Sequence, residues 1–175
     1  ISTPLIYRAF RISDFKQGWI VKKVKDFSAG LTGKGLYIYS AKNGTGKTTL
    51  SCVSAKTYCA YWGIEKYRFF NYAEFVNKFE SLDFNERGEL MEIYKTARVL
   101  IIDDLGKGRL SPMSLSNIYD IVNYRNMNAL ITIVSSNLSL DQISESFDSS
   151  VASRLFEMCE LVEMKGEDMR IKPIK

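Results

Sequence analysis

Histidine is absent from this chain of 175 residues, and cysteine and proline occur only three times each. Without histidine the chain can form no histidine-based catalytic dyad, and most kinds of zinc site are excluded. The cysteines, at Cys52, Cys59 and Cys159, lack the spacing of metal ligands and cannot all pair with one another. We therefore expect buried thiols in a reducing compartment, and any chemistry must depend on carboxylates, lysine, arginine, hydroxyl groups or a bound metal.

Long apolar runs are missing as well. No segment is long enough to span a membrane and no signal-peptide pattern is present, so a cytoplasmic location is expected. The length, together with a hydrophobic content of 46%, suits one α/β domain that covers residues 1–175. The sequence begins at Ile1 rather than at methionine, which leaves open a preceding partner-binding domain.

Charge is distributed unevenly along the chain, although the net charge is only +4. Residues 1–80 carry 13 lysines and arginines against 5 acidic residues, whereas residues 81–175 carry 11 against 15. The basic part could attract nucleic acid, but solvated helix faces are the commoner explanation of such a balance. Charge alone therefore leaves both interpretations open.

A buried strand, a glycine-containing loop and a helix start follow one another between Leu36 and Leu50. Gly44 and Gly46 allow the tight turn that points several N–H groups at one phosphate group, and Thr49 lies where the helix opens. In such a loop Lys47 reaches the β- and γ-phosphates, and the Thr48 hydroxyl binds Mg²⁺. The predicted nucleotide contacts are Ala41, Lys42, Asn43, Gly44, Thr45, Gly46, Lys47, Thr48 and Thr49.

This loop departs from the G-x-x-x-x-G-K-[ST] pattern at one position, because Ala41 replaces the first glycine. A Cβ atom is tolerated there if φ stays negative, although the affinity for nucleotide can change. The simpler alternative is a glycine-rich turn that happens to precede Lys47. The strand before the loop and the helix after it favour nucleotide binding.

Two carboxylates follow a second buried strand. The apolar run that starts at Val99 is typical of a parallel strand covered on both faces, and Asp103 and Asp104 come at its carboxyl end, where ligands bind in such sheets. We predict that Asp103 holds Mg²⁺ and that Asp104 is the base that polarises the attacking water. The alternative is a pair of capping aspartates in a turn.

Apolar segments that alternate with helical patterns predict a three-layer α/β fold with a five-stranded parallel sheet. The predicted strands begin at Leu36 and lie at 67–71, 99–102, 129–134 and 160–164, with an added edge strand at 169–172. The predicted helices cover 14–27, 47–62, 73–82, 89–95, 114–126 and 149–158, and a short one begins at Asp141. We expect no regular structure in residues 1–10.

Three further groups of residues are candidate nucleotide contacts or core positions. Asn137, which follows the strand at 129–134, is predicted to sense the γ-phosphate or hold the water, ahead of its neighbour Ser136. Ile6 and Tyr7 precede the phosphate loop and either contact the adenine base or pack against the fold. Phe75 and Phe79 are more often core residues than a base-stacking platform.

Several of these motifs together resemble AAA+ ATPases of the DnaC/DnaI helicase-loader type, a branch of the P-loop NTPases. The resemblance covers nearly the whole chain, and IstB-type transposition ATPases share the pattern. It rests on residues 41–48, Leu-Ile-Ile-Asp-Asp-Leu-Gly at 100–106, Asn-Tyr-Arg at 123–125, Ser-Ser-Asn-Leu at 135–138 and Ser-Arg-Leu at 153–155.

The resemblance implies the strand order 5-1-4-3-2, little or no helical lid, and a seat for Asn137 between the loop and the carboxylates. It also implies that Arg154 is an arginine finger for a neighbouring subunit; the alternative is an ion pair with Glu157 or Asp148. Arg170 falls where a second arginine sensor would lie. Arg125 could face nucleotide, partner or DNA.

From the resemblance we expect an ATP-dependent switch that hydrolyses ATP slowly, binds Mg²⁺, forms a ring or filament and binds a replicative helicase. Single-stranded DNA is expected at residues 71–84, with Lys78 and Phe79 as contacts. The alternatives are a transposition helper ATPase, a small-molecule P-loop kinase, for which no arginine-rich lid is evident, and a module that binds ATP without turnover.

Overall fold

The fold is an open parallel sheet with helices on both faces. The structure, a computed structural model, describes residues 4–15, 17–108 and 111–165. The strands are β1 (Gly35–Tyr39), β2 (Arg68–Asn71), β3 (Val99–Leu105), β4 (Ile131–Ser136) and β5 (Cys159–Glu163). The helices are α1 (Gly18–Ser28), α2 (Lys47–Tyr61), α3 (Tyr72–Ser81), α4 (Phe84–Thr96), α5 (Pro112–Met127), α6 (Leu140–Ser146) and α7 (Ser149–Met158).

The five strands lie in the order β2-β3-β4-β1-β5, and each neighbouring pair is parallel. This confirms the predicted order 5-1-4-3-2 and the α/β fold class. Because all strands run the same way, their carboxyl ends meet along one edge of the sheet. The phosphate loop and the carboxylates that follow β3 therefore lie on the same side of the molecule.

Both faces of the sheet are buried, so the strands are continuously apolar rather than alternating. Along β1, Leu36 and Ile38 pack on one face with α1 and α2, whereas Tyr37 points to the other face, towards α3 to α7. β3 divides in the same way, with Ile101 on the first face and Ile102 on the second. The three-layer arrangement that the sequence predicts is therefore present.

Some element boundaries differ from the prediction. The first helix begins at Gly18 rather than at residue 14, because residues Ile12–Asp14 form a 3-10 turn closed by a hydrogen bond to the Asp14 carboxylate. A second 3-10 turn, Leu5–Tyr7, lies where no regular structure was expected. β4 starts two residues late, at Ile131, because Ala129 has a φ of 49° at the end of α5.

Other predicted features differ in their bounds or lie outside the described residues. α4 begins at Phe84, five residues before the predicted start, with Asp83 and Glu86 forming a reciprocal cap. The predicted edge strand at 169–172 and Arg170 lie outside the described residues. Within the described part of the chain, no helix has both the length and the apolar character needed to cross a membrane.

Candidate functional site

The loop between β1 and α2 has the backbone shape that anion binding requires. Gly44 and Gly46 adopt φ angles of 69° and 89°, in the left-handed region. Among the described residues other than glycine, only Asp104 and Ala129 have positive φ, so Ala41 fits its position without strain. No side chain caps the start of α2, which leaves its first N–H groups and its positive dipole end directed to the loop.

Lys47 is the first residue of α2 and is almost completely buried, with 6% of its surface exposed. Its ammonium group donates hydrogen bonds to the carbonyl oxygens of Lys42 at 2.9 Å and Ser40 at 3.4 Å. These contacts hold the positive charge against the inner side of the loop. A phosphate bound in the loop would therefore meet a cation that is already in place.

Asp103 lies under the loop and connects three elements. Its Oδ1 accepts hydrogen bonds from the hydroxyls of Thr48 at 2.8 Å and Ser135 at 2.5 Å. Burial raises the pKa of Asp103 above its ordinary value, while the hydrogen bonds from Ser135, Thr48 and Asn71 oppose that rise. Neither Ser135 nor Asn71 was predicted to contact Asp103, although both stand at the carboxyl ends of strands beside β3.

Asp104 has an unusual backbone that turns its side chain away from the sheet. Its φ is 54°, and the register between β3 and β4 shifts between Ile102 and Leu105. The Asp104 N–H donates to the Ser135 hydroxyl at 3.1 Å, which fixes this bulge. The carboxylate consequently lines an open cavity and accepts from the Lys107 ammonium at 3.3 Å.

Asn137 links the phosphate loop to the carboxylate side of the cavity. Its side-chain N–H donates to Oδ1 of Asn43 at 3.2 Å, and its own Oδ1 is buried without a hydrogen-bond partner among the described residues. The neighbouring Ser136 hydroxyl instead donates to the Leu105 carbonyl at 2.7 Å and accepts from the Leu138 N–H. Of the two residues, only Asn137 presents a polar group to the cavity.

The cavity has a volume of about 770 Å³, which is large enough for a nucleoside triphosphate. Residues 43–49, Asp104 and Asn137 line it, whereas Ala41 and Lys42 do not. The opposite end is formed by the segment before α1, which includes Tyr7 as predicted. Five further lining residues were not predicted from the sequence: Phe10, Asp14, Phe15, Gln17 and Lys107.

A lysine of α2 helps to attach the segment that contains Tyr7 to the fold. Lys56, in the middle of α2, donates to the carbonyl oxygens of Arg8 at 2.7 Å and Phe10 at 2.8 Å. Tyr7, Phe10 and Phe15 form an aromatic wall of the cavity. The sequence carries a signal for this wall, because all three aromatic residues precede the phosphate loop within a short segment. Their spacing fits no regular helix or strand, which is why the pattern could not place them.

Arg154 lies outside this cavity, on α7, where that helix packs against α5. Its guanidinium donates to Oδ1 of Asn123 at 2.5 Å and lies 5.1 Å from the centre of the Tyr119 ring. Neither alternative partner is used: Glu157 accepts from Asn126, and Asp148 caps α7. Within the described residues Arg154 forms no salt bridge.

Two predicted contact residues are instead part of the interior. Arg125 is completely buried and donates to the Thr132 hydroxyl and to the carbonyl oxygens of Tyr94, Lys95, Ala97 and Ile131. It therefore cannot face nucleotide, partner or DNA. Phe79 is also buried, at 7% exposure, and packs against Phe75, so its ring is not a DNA-stacking surface; the neighbouring Lys78 is exposed.

Comparison with known proteins shows which family the chain belongs to. The model of the IstB-like ATP-binding protein family matches residues 34–175. The chain belongs to this family. Its structure is similar to the DnaC helicase loader, with a TM-score of 0.80, 25% identity and coverage of 93% of this chain and 100% of that one. DnaI gives a TM-score of 0.79 at 21% identity, covering 93% of this chain and 95% of that one.

A relative from Bacillus subtilis shares part of the sequence. XkdC, a protein of the phage-like element PBSX, is 35% identical over 104 residues, which cover 54% of this chain and 39% of that protein. The chain thus spans well under two thirds of this relative. The resemblance to helicase-loader AAA+ proteins is confirmed, and the chain is an AAA+ ATP-binding protein with a DnaC-like fold.

Proposed function

We propose that this AAA+ protein is a magnesium-dependent ATPase that hydrolyses ATP to ADP and phosphate. The observation that carries the proposal is a cavity lined by the phosphate loop, Asp104 and Asn137, in which the lining residue Thr48 is hydrogen-bonded to Asp103. A phosphate-binding loop alone would suit any P-loop protein. Its combination with an acidic pair and a polar sensor suits hydrolysis.

The Thr48 hydroxyl and the Asp103 carboxylate fit a magnesium ion. Both are oxygen donors of the kind that Mg²⁺ prefers, and they lie 2.8 Å apart, with Thr48 lining the cavity and Asp103 buried behind it. The described residues contain no cluster of three or more His, Cys, Asp or Glu side chains, so the remaining ligands would be phosphate oxygens and water. When bound, the ion would neutralise charge on the β- and γ-phosphates.

The remaining residues have separate roles in the proposed reaction. Lys47 and the N–H groups of the loop bind the phosphates and stabilise the charge of the transferring group. The Asp104 carboxylate accepts a proton from the attacking water, and the free Oδ1 of Asn137 orients that water or its side-chain N–H contacts the γ-phosphate. The wall that contains Tyr7, Phe10 and Phe15 covers the adenine ring.

The arginine finger is proposed to come from a neighbouring subunit. Arg154 does not line the cavity of its own chain, and Asn123 and Tyr119 hold its guanidinium in one place on the surface between α5 and α7. A finger that acts in trans leaves the isolated subunit slow. We therefore propose a ring or filament with nucleotide between subunits.

The biological role that we propose is that of a helicase loader or replication accessory ATPase. The likeness to the DnaC helicase loader supports a helicase as partner. A replicative helicase and single-stranded DNA are the partner and ligand that the family resemblance implies. Residues 71–84 remain the proposed DNA segment, now with exposed Lys78 rather than buried Phe79 as its contact. Electrostatic contact with phosphate, rather than base stacking, is expected there.

A transposition helper ATPase is the second candidate, because the matching family is described as IstB-like. Both candidates share the proposed ATPase chemistry and differ in partner. Co-purification of the protein with a hexameric replicative helicase in the presence of ATP would support the loader. Failure to bind that helicase, combined with ATP-dependent binding to a transposase, would support the helper.

The ATPase proposal is tested by the substitution Asp104→Asn. Asparagine has nearly the same shape and tolerates positive φ, so the bulge should survive while the base is lost. We expect turnover to fall about 100-fold or more, with ATP affinity retained. Asp120→Asn, an exposed acid on α5, is the matched control and should keep full turnover. Equal turnover in both variants would contradict the role of Asp104.

A further inference from the structure

Lys107 is a cation in the cavity for which the motifs provide no role. It lies in the loop after β3, and its ammonium group forms a 3.3 Å ion pair with Oδ2 of Asp104. Among the described residues that line the cavity, Lys47 and Lys107 are the only cations. Lys47 is buried against the phosphate loop, whereas 62% of the Lys107 side chain is exposed.

The ion pair occupies the carboxylate that the proposed reaction needs. While Oδ2 of Asp104 accepts from the Lys107 ammonium group, that oxygen is not available to an attacking water molecule. An exposed pair of this kind is weak, and a stronger anion can replace it. The phosphate loop and Lys107 line the same cavity, so the terminal phosphate of bound ATP is such an anion.

The loop that carries Lys107 is built so that the side chain can change partner. Gly106 and Gly108, on either side, have φ angles of 85° and 118°, which residues with a side chain rarely adopt. Gly106 lies against Leu138 and Gly108 against Ala73, so the two ends of the loop are fixed by contacts. The lysine side chain between the two glycines is long and exposed, so it can reach another partner in the cavity.

We propose that Lys107 is a γ-phosphate sensor supplied by the same subunit. When ATP enters, the ammonium group moves from Asp104 to the terminal phosphate, which carries about −1.5 to −2 charges at neutral pH. Asp104 is thereby released to act on water. ADP places no phosphate at that position, so the Lys107–Asp104 pair persists with ADP bound. This inference rests on the proposed ATPase function.

The experiment measures the affinities of Lys107→Ala for a non-hydrolysable ATP analogue and for ADP by calorimetry, together with steady-state turnover. We expect the affinity for the analogue to fall about tenfold, because one charge-assisted contact is lost, and the affinity for ADP to stay unchanged. Turnover should fall as well. Lys107→Arg keeps the charge and should restore the preference for the ATP analogue over ADP.

The control is Lys66→Ala, which removes an exposed lysine in the turn between α2 and β2 at the opposite end of the sheet. It should bind both nucleotides as the wild type does. Unchanged affinity of Lys107→Ala for the analogue would overturn the inference. So would equal weakening for both nucleotides, or faster turnover at unchanged affinity, which would make Lys107 only a restraint on Asp104.

Failure of the inference is distinguishable from failure of the proposed function. If the wild type binds and hydrolyses ATP but Lys107→Ala behaves like Lys66→Ala, only the sensor role is lost. If the wild type neither binds nor hydrolyses ATP, the ATPase proposal itself is wrong. The ratio of the two affinities also separates sensing from a folding defect, because unfolding lowers binding of the analogue and ADP alike.

Discussion

Asp103 is proposed to serve ligand binding at the expense of stability. It is a carboxylate with 5% of its surface exposed, and no cation pairs with it among the described residues. Burial of an ionised carboxylate costs free energy that hydrogen bonds from Thr48 and Ser135 offset only in part. Such a residue makes sense if a cation completes the site when nucleotide binds.

The substitution Asp103→Asn should therefore stabilise the protein without nucleotide. The pKa of Asp103 is raised in the folded state, so the folded chain favours the neutral form, and the ionised form at pH 7 lowers stability. We expect the variant to gain about 1 kcal/mol in the free energy of unfolding in urea at pH 7. The gain should shrink as the pH falls and the wild-type carboxyl becomes protonated.

The control for this comparison is Asp120→Asn, whose carboxylate is exposed on α5. It should show no comparable gain at neutral pH. A variant Asp103→Asn that is equally or less stable than the wild type at pH 7 would show that the buried carboxylate is not a cost to folding. In that case no bound cation would be needed to explain why residue 103 is a carboxylate.

The residues of the site differ in how far the sequence could predict them. Residues 43–49, Asp104 and Asn137 follow apolar strands, and a parallel sheet brings such positions to one edge, so their convergence on one cavity was predictable. Arg125 was not predictable. It lies in an ordinary helical pattern, and only the packing of α5 against β4 and α4 reveals that its charge is surrounded by carbonyl oxygens.

At the scale of elements, the apolar strands were the most predictable part. The run from Val99 to Ile102 leaves no exposed face, and the structure buries all four residues. The helix starts were harder, because Asp14 is a plausible cap but closes a 3-10 turn instead. Sequence periodicity does not report such local competition between a side chain and the helix.

Gly35, at the start of β1, allows β1 and β4 to approach each other closely, which the sequence alone does not reveal. A Cβ atom at this position would lie 1.9 Å from the Thr132 carbonyl oxygen of β4, which is far inside contact distance. Gly88, in the exposed part of α4, has no atom within 4 Å of the corresponding position. Substituting alanine at each of the two glycines therefore compares a crowded position with an open one.

Gly35→Ala should lower the free energy of unfolding by about 3 kcal/mol or more, because β1 and β4 must separate to admit the methyl group. Gly88→Ala should raise it by about 0.5–1 kcal/mol, because alanine favours the helix. Urea denaturation of both variants measures these changes. Similar stability of the two variants would contradict the close β1–β4 approach.

At the scale of the whole molecule, the cavity and Arg154 lie on different parts of the surface. The cavity opens at the carboxyl edge of the sheet, while Arg154 lies on α7, where α7 packs against α5. One chain therefore holds both halves of the proposed active site without joining them. Sequence alone supplied this idea only through the family resemblance, because a single arginine on a helix has many possible partners.

Mixing two inactive variants tests whether the halves join between subunits. Arg154→Ala retains its cavity but lacks the finger, and Asp104→Asn lacks the base but retains the finger. If they assemble at random, roughly a quarter of the interfaces pair an intact cavity with an intact finger, so the mixture should recover roughly that share of wild-type turnover. Arg154→Ala mixed with the double variant should recover none, and equal turnover in both mixtures would exclude a finger in trans.

The central claim is that the phosphate loop and the acidic pair bind one magnesium–ATP complex. Calorimetric titration of the wild type with a non-hydrolysable ATP analogue tests it most directly, in Mg²⁺ and in EDTA, beside the variant Lys47→Ala. The account predicts saturable binding in Mg²⁺, about tenfold or more weaker binding in EDTA, and severe loss in Lys47→Ala. Affinity that is indifferent to both EDTA and the loss of Lys47 would contradict it.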